Sequence, residues 1–161
     1  MKDILFSSWA GEVIDNRDGS DGSTADSNVP KEIRMPNNLN EAEPIKAFMG
    51  WDGFVLCSED VHVVDLCRAY MEAVRNQSCG KCIPCRVGTF QISKMLDKII
   101  SGKGNEEDII KLEELCKLVN TTSLCGLGIS ASNPVISTLK NFREEYNSLL
   151  QPTESIEAGA S

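Results

Sequence analysis

Three cysteines, each separated from the next by two residues, constrain this chain more than any other feature. Cys79, Cys82 and Cys85 form a C-x2-C-x2-C pattern in the stretch SCGKCIPC. A structural zinc site usually takes cysteine pairs from two separate knuckles. A third thiolate at the same spacing instead suits one face of a cubane cluster, as in bacterial ferredoxins. The spacing therefore predicts a [4Fe–4S] site, with zinc and a redox dithiol as alternatives.

The fourth ligand must come from a distant part of the chain, because no further cysteine follows closely. Cys67 and Cys116 fall in helical segments beside apolar residues, and Cys57 ends an apolar run. Free cysteine is among the most buried residue types, so we expect these three to pack in the core. Cys125 lies instead in the glycine-rich stretch SLCGLG, which permits a close approach to a cluster. We expect Cys125 to be the fourth ligand.

The neighbours of the cysteines fit an anionic cluster. Gly80 removes a side chain where the backbone must curl, Gly126 flanks the distant cysteine, and Pro84 stiffens the first loop. Lys81 and Arg86 place positive charge nearby, although ordinary solvated surface is an alternative for both. A predicted helix N-terminus near Arg86 also favours negative charge. Such surroundings raise the reduction potential of a cluster.

Size and charge exclude several classes of protein. The chain has 161 residues, which favours one domain with flexible ends, and a net charge of −8, which argues against nucleic acid or an anionic membrane as partner. Nothing approaches the ~18 apolar residues of a membrane span, and no signal peptide is recognisable. We therefore expect a cytoplasmic protein. The single histidine, His62, is expected at the surface or as a helix cap, with a place near the cluster or a flavin as the alternative.

Apolar periodicity predicts a mainly α-helical fold, a small four-helix bundle with the cluster bound by two loops. The predicted helices run from about 60 to 76, from Arg86 to Gly102, from Asn105 to about 120 and from Asn133 to about 150. Ser58 or Asp60 could cap the first, Asn105 the third and Asn133 the fourth. A strand or extended segment at 47–57 precedes them, after an extended or disordered N-terminal segment, and 121–132 is expected to be a loop.

The N-terminal part differs in composition from the rest. Residues 1–44 carry four Lys or Arg against nine Asp or Glu. Residues 1–15 are apolar enough to form a strand or dock on a partner subunit, with a loosely packed terminus as the alternative. Residues 16–44 are expected to be an acidic flexible linker, 45–151 the helical domain and 152–161 a disordered tail.

The stretch SCGKCIPCRVGT, followed by TTSLCGLG and NPVISTLKNFREEY, resembles the C-terminal iron–sulfur domain of the NADH-binding flavoprotein subunit family. That family serves respiratory complex I, NAD-linked and electron-bifurcating hydrogenases, and NAD-linked formate dehydrogenases. The resemblance covers roughly residues 47–150. It implies one [4Fe–4S] cluster that exchanges electrons with a neighbouring FMN, on the ligands Cys79, Cys82, Cys85 and Cys125.

The chain departs from the family upstream of this region. It has no G-x-G-x-x-G fingerprint and too few residues there for a dinucleotide fold. We therefore expect a stand-alone small subunit, with FMN or FAD and NAD(P) only on partner subunits.

The expected function is that of an electron-transfer subunit, without catalytic residues, in a hetero-oligomeric NAD(P)H-linked oxidoreductase complex. Its partners would be a flavoprotein subunit and other Fe–S subunits. Two carboxylate pairs, Glu106/Glu107 and Glu144/Glu145, are expected to be solvated rather than to act as acid and base. The alternatives are a structural or redox-sensing Fe–S module for regulation or assembly, and a zinc-binding interaction domain.

Overall fold

The computed structural model describes residues 4–17 and 46–150, where helices predominate over one small sheet. The mainly α-helical class is therefore confirmed. The predicted linker beyond residue 17 and the predicted tail lie outside the described residues. The strands are β1 (Phe6–Trp9), β2 (Glu12–Asp15), β3 (Ala47–Gly50) and β4 (Gly53–Leu56). The helices are α1 (Val63–Gln77), α2 (Thr89–Ile100), α3 (Glu106–Thr122), α4 (Gly126–Ser130), α5 (Asn133–Asn141) and α6 (Arg143–Ser148), with a π-helical turn at Pro84–Gly88.

The sheet joins the N-terminal segment to the rest of the chain. Its order is β2-β1-β4-β3, and every neighbouring pair is antiparallel. Ala10 and Gly11, both with positive φ, connect β1 to β2 in the manner of a two-residue hairpin. In register, Phe6 faces Asp15 on one side and Leu56 on the other. An early strand is therefore paired with one that follows about 40 residues later along the chain.

The strand that the sequence allows in residues 1–15 and the one that it allows in 47–57 are both present, whereas residues 4–15 are not a disordered end. Phe6 is completely buried, and its ring packs against those of Phe54 and Phe142 at centroid distances of 5.4 and 4.7 Å. The apolar side chains of the segment thus have a place in the core of their own chain. Docking of residues 1–15 on a partner stays a prediction, and Phe6 is not available for it.

The predicted fourth helix is broken at Phe142, where the backbone leaves helical geometry with φ −132° and ψ 34°. The rings of Phe142, Phe6 and Phe54 contact one another, so the contact of Phe142 with the sheet accompanies the break. The predicted loop at 121–132 contains the short helix α4. The regular four helices of the prediction therefore correspond to six described helices and the π-helical turn.

The main core lies between α1, α2, α3, α5 and α6. Cys67 and Cys116 are fully buried in it, as predicted, whereas Cys57 at the end of β4 is partly exposed. The other members of this core are Val64, Tyr70, Met71, Val74, Ile92, Leu96, Ile99, Ile109, Leu112, Val119, Ala131, Val135, Leu139 and Tyr146.

The cap of α3 is the one that the sequence predicts. The Asn105 side chain accepts a hydrogen bond from the Asp108 amide at 3.0 Å, and the Asp108 carboxylate accepts one from the Asn105 amide at 2.9 Å. The predicted cap of α5 is wrong by one residue. Ser132 is the N-cap and Asn133 lies inside the helix, where its side-chain oxygen accepts a hydrogen bond from Asn120 at 2.7 Å.

Neither residue predicted to cap α1 does so. The N-cap is His62, which makes no capping bond with its side chain. The Glu145 carboxylate of α6 instead accepts a hydrogen bond from the Val63 amide at 2.6 Å. The prediction that Glu145 is merely solvated is therefore wrong, because this carboxylate satisfies a free amide at a distant helix start.

Candidate metal centre

The first cysteine loop connects α1 to α2 and ends in the π-helical turn. Cys79 is exposed, Cys82 is half-buried, and Cys85 is buried with 4% of its surface exposed. The Arg86 amide donates to the Cys82 carbonyl at 3.0 Å, and the Thr89 hydroxyl donates to the Cys85 carbonyl at 2.6 Å. These bonds place the last two cysteines in a fixed turn directly before α2.

Gly80 reverses the direction of this loop. Its φ of +68° lies in the left-handed region, which glycine adopts without steric cost. The Gly80 amide donates to the Ser78 hydroxyl at 3.2 Å, and the Arg86 guanidinium donates to the Gly80 carbonyl at 3.0 Å. Arg86 therefore has a structural contact inside the loop. Lys81 is exposed, and Pro84 begins the π-helical turn.

Ser78 is a neighbour of the cysteines that the sequence analysis missed. Its hydroxyl oxygen lies 3.3 Å from the Cys85 sulfur. A serine directly before the first cysteine carries no distinctive signal in the sequence. Only the reversal at Gly80 brings it to a cysteine seven positions later along the chain.

The second cysteine loop lies between α3 and α4 and meets the first at Cys82. The pKa of the Cys82 thiol is lowered, chiefly by a hydrogen bond from the Leu124 backbone and next by one from the Cys85 backbone. Cys125 follows Leu124, occupies the N-cap position of α4 and is exposed. Gly126 is the first residue of that helix and is exposed too. The structure thus brings together the two loops that the sequence predicts to share a site.

Two glycines allow the loops to meet. A Cβ on Gly88 would lie 2.2 Å from a methyl group of Val119, and one on Gly128 would lie 2.5 Å from the Ser123 Cβ. The same atom on Gly128 would lie 3.3 Å from the Cys85 Cβ. Real Cβ atoms do not approach other atoms as closely as the first two distances require. Gly88 and Gly128 are therefore contact points between the elements that carry the cysteines.

The four predicted ligands lie on two loops that contact each other, but their thiols are not arranged as a metal-binding site. Within residues 4–17 and 46–150, no three His, Cys, Asp or Glu side chains are placed to hold a metal ion. Cys79, Cys82, Cys85 and Cys125 are not joined in disulfides. Cys82 and Cys85 lie on the inner side of the loops, whereas Cys79 and Cys125 lie at the surface.

The residues between the loops nevertheless fit a cluster. Ser123 has only 8% of its surface exposed, and its hydroxyl has no hydrogen-bond partner in the described part of the chain. A buried hydroxyl without a hydrogen-bond partner destabilises the folded state. Such a hydroxyl therefore indicates that an acceptor other than these protein atoms faces it. Ser123 directly precedes Leu124 in the second cysteine loop. A thiolate-bound cluster would supply sulfur acceptors at this point.

The two core cysteines do not compete as ligands. Burial raises the pKa of the Cys67 thiol to about 11 and that of Cys116 to about 12. Both thiols therefore stay protonated near neutral pH, and metal ligation requires the thiolate. Cys67 also lies in a buried polar group, 3.1 Å from the Thr138 hydroxyl, which in turn lies 2.9 Å from that of Tyr146.

His62 lies far from the cysteine loops. It is exposed and precedes α1, whereas the first cysteine loop follows the other end of that 15-residue helix. At 1.5 Å per residue the two ends are roughly 22 Å apart. The surface position of His62 is confirmed, and the residue is far from the predicted cluster ligands; a place near a flavin stays a prediction.

Apolar side chains surround the cysteine loops at the surface. Ile83 is 65% and Leu124 83% exposed, and Val87 and Ile129 are also exposed. These four residues, which we call the apolar rim, flank Cys82, Cys85 and Cys125 in sequence. Large apolar side chains grouped on a surface are typical of an interaction site. The sequence alone did not single them out, because their spacing is also that of core residues.

No helix in the described ranges combines the length and the apolar character needed to cross a bilayer.

A family model described as "NADH-ubiquinone oxidoreductase-F iron-sulfur binding region" matches residues 65–149. The beta subunit of the NADP(+)-dependent formate dehydrogenase of Moorella thermoacetica is 33% identical over 161 residues, which are 99% of this chain and 21% of that protein. The beta subunit of the NADPH-Fe(3+) oxidoreductase of Geobacter sulfurreducens is 35% identical over 147 residues, 91% of this chain and 21% of that protein. This chain thus spans about a fifth of the length of these relatives.

A solved structure shows the same fold. The chain superposes on part of an air-oxidised NAD+-reducing [NiFe]-hydrogenase with a TM-score of 0.57 and 33% sequence identity, covering 64% of this chain and 18% of that one. The alignment with the Moorella protein includes nearly all of this chain, so it extends to the N-terminal hairpin. That hairpin therefore falls within the region shared with relatives.

Proposed function

This chain belongs to the family of NADH-ubiquinone oxidoreductase-F iron–sulfur binding regions, and we propose that it holds one [4Fe–4S] cluster. Membership makes it an iron–sulfur electron-transfer module of NADH-linked oxidoreductases. The observation that supports the site is the packing of the second cysteine loop on the first, where a Cβ on Gly128 would lie 3.3 Å from the Cys85 Cβ. The proposed ligands are Cys79, Cys82, Cys85 and Cys125.

A bound cluster would supply one-electron exchange without a change in covalent structure. The chain's own contribution is to hold and shield it. The turn after Cys82 orients the next thiolate, and Gly80 folds the loop back with Arg86 bound to its carbonyl. Backbone donors and the cationic side chains of Lys81 and Arg86 favour the negative charge that four thiolates bring.

The electrons would come from cofactors outside the described residues. We place FMN or FAD and NAD(P) on partner subunits, together with other Fe–S subunits, in a hetero-oligomeric complex. Two relatives bear the names of beta subunits of NADP(H)-linked enzymes, which supports such an assembly. The apolar rim supports docking next to the cluster, since a surface with Leu124 and Ile83 exposed is costly in water. The absence of disulfides among the four proposed ligands agrees with a cytoplasmic location.

The test is anaerobic purification of the full chain, with iron and sulfide counted and EPR recorded after reduction. We expect about four Fe per chain and a reversible one-electron signal. Reduction by NADH or NADPH should require an added flavoprotein subunit. A zinc-loaded, iron-free protein would exclude the cluster. A cluster that decays in air without stoichiometric electron exchange would favour the regulatory or assembly module instead.

A further inference from the structure

We propose that Ser78 is a positioning residue that donates its hydroxyl proton to the Cys85 thiolate and so raises the reduction potential of the cluster. This inference rests on the proposed function, because it needs Cys85 as a ligand. It adds a specific side chain to that site. The sequence features predicted around the cluster are Gly80, Lys81, Pro84, Arg86 and Gly126 and do not include it.

The geometry around Ser78 leaves its proton for the sulfur. The hydroxyl oxygen accepts the Gly80 amide proton at 3.2 Å and lies 3.3 Å from the Cys85 sulfur. A serine hydroxyl has one proton to give and two lone pairs to accept with. With one lone pair directed at Gly80, the proton can point to the sulfur. A thiolate at Cys85 has no proton, so the direction of the bond is fixed once the cluster is bound.

Both partners are held in place by their own backbone contacts. The Ser78 amide donates to the Arg75 carbonyl at the end of α1 at 3.3 Å. The Cys85 carbonyl accepts from the Thr89 hydroxyl at the start of α2. The contact between Ser78 and Cys85 thus joins the ends of two helices. It does not depend on a mobile side chain, because a serine has a single χ angle before its hydroxyl.

The buried position of Cys85 strengthens the effect. With 4% of its surface exposed, its sulfur has little access to water that could replace the hydroxyl. Hydrogen bonds to cluster sulfurs stabilise the reduced form more, because that form carries one more negative charge. A low local dielectric increases this difference. The electron enters the cluster, the hydroxyl keeps its proton, and no bond is broken.

The experiment compares four variants of the full chain by redox titration with EPR detection under anaerobic conditions. Ser78→Thr keeps the hydroxyl. Ser78→Val introduces a side chain of nearly the same shape as threonine but without the hydroxyl. Ser78→Ala removes the group with the smallest change in volume. Ser130→Ala is the matched control, since the Ser130 hydroxyl donates to the Gly126 carbonyl at 2.8 Å on α4 and makes no hydrogen bond to a cysteine within the described ranges. Iron is counted in every sample.

We expect full iron content in all four variants. At the midpoint potential of the unmodified protein, less than half of the cluster should be reduced in Ser78→Ala and Ser78→Val. The reduced fraction should stay near half in Ser78→Thr and Ser130→Ala. Equal midpoints in Ser78→Thr and Ser78→Val would overturn the inference, as would an unshifted Ser78→Ala.

Loss of iron from both Ser78→Ala and Ser78→Val, with iron kept in Ser78→Thr, would also overturn it. The hydroxyl would then be needed to hold the loop, through the Gly80 amide, and would not tune the potential. Absence of iron from the unmodified protein is a different result. It would refute the proposed function itself, before any variant is compared.

Discussion

Gly128 and Cys85 are in such close contact that a Cβ on the glycine would lie 3.3 Å from the cysteine Cβ. The first belongs to the short helix after Cys125, and the second ends the C-x2-C-x2-C pattern. The two cysteine loops are therefore packed tightly against each other at Gly128. Side chains at this contact determine whether the four thiols can share one site.

Gly128→Ala should distort the second cysteine loop and crowd the first, because the new methyl group would lie 2.5 Å from the Ser123 Cβ and 3.3 Å from the Cys85 Cβ. Overpacking of this kind costs roughly 1–3 kcal/mol. We expect a lower denaturation midpoint for the chain without its cluster and a lower iron content after reconstitution. Gly126→Ala is the control for the denaturation midpoint, since a Cβ there would meet nothing within 4 Å. Equal midpoints for the two variants would contradict the close packing.

Cys125→Ala should lose or convert the cluster, although it is distant in sequence from the other proposed ligands. Cys116→Ala should keep the iron and lose only core packing, about 1–3 kcal/mol, because the Cys116 thiol is buried and protonated. Iron content and EPR of the two variants form a matched pair. A normal [4Fe–4S] signal in Cys125→Ala would show that Cys125 is not a ligand. Loss of iron from Cys116→Ala would show that Cys116 is the distant ligand instead.

The stability of the fold should decline as the pH rises from about 9 to about 11. Burial raises the pKa of Cys67 from its ordinary 9.0 to about 11, so the folded chain keeps a proton that the unfolded chain has lost. Stability is fully present below the unfolded pKa and is lost through the folded one. Urea unfolding at several pH values would measure this decline. Cys67→Val should show a shallower decline over that range, and identical slopes would exclude Cys67 as the cause.

Glu145→Ala should destabilise the fold by about 1 kcal/mol, because the Val63 amide at the start of α1 loses its acceptor. Glu144 is the matched control, since it is the preceding residue and is exposed. Urea unfolding of the two alanine variants at neutral pH would separate them. If the free energy of unfolding falls by the same small amount in both variants, the carboxylate of Glu145 has no capping role.

Phe6→Ala should cost about 3–5 kcal/mol, as expected for a fully buried aromatic ring. Val13→Ala, on the same hairpin but exposed, should change stability by less than about 0.5 kcal/mol. Thermal or urea unfolding of the isolated chain gives both values. A Phe6→Ala variant as stable as the unmodified chain would mean that the hairpin is not part of the independent fold.

The features that sequence predicts well here are local ones. The apolar spacing of α1, α2 and α3, the capping box at Asn105 and the burial of Cys67 and Cys116 depend on neighbours within a few positions. Such signals are readable because helix periodicity and caps repeat over short distances.

The features it missed join distant parts of the chain. Glu145 and Val63 are 82 positions apart, and β1 pairs with β4 across a long intervening segment. The break at Phe142 accompanies a ring contact with the sheet, and Ser78 approaches Cys85 only after the Gly80 reversal. Local propensity contains no information on these contacts, which tertiary packing alone creates. The four cysteines could be chosen from spacing and resemblance, but their neighbours could not.

The strand order also determines where the strands before and after residues 16–46 lie in the sheet. Asp15, Phe6, Leu56 and Ala47 are aligned in register across the sheet, with Asp15 and Ala47 at its two edges. Three strand spacings separate these edges, roughly 14 Å. The strands that precede and follow residues 16–46 therefore belong to one sheet, and the two described parts of the chain form a single body. A single proteolytic cut between Asn16 and Lys46 should yield two fragments that stay associated under native conditions and separate only in denaturant.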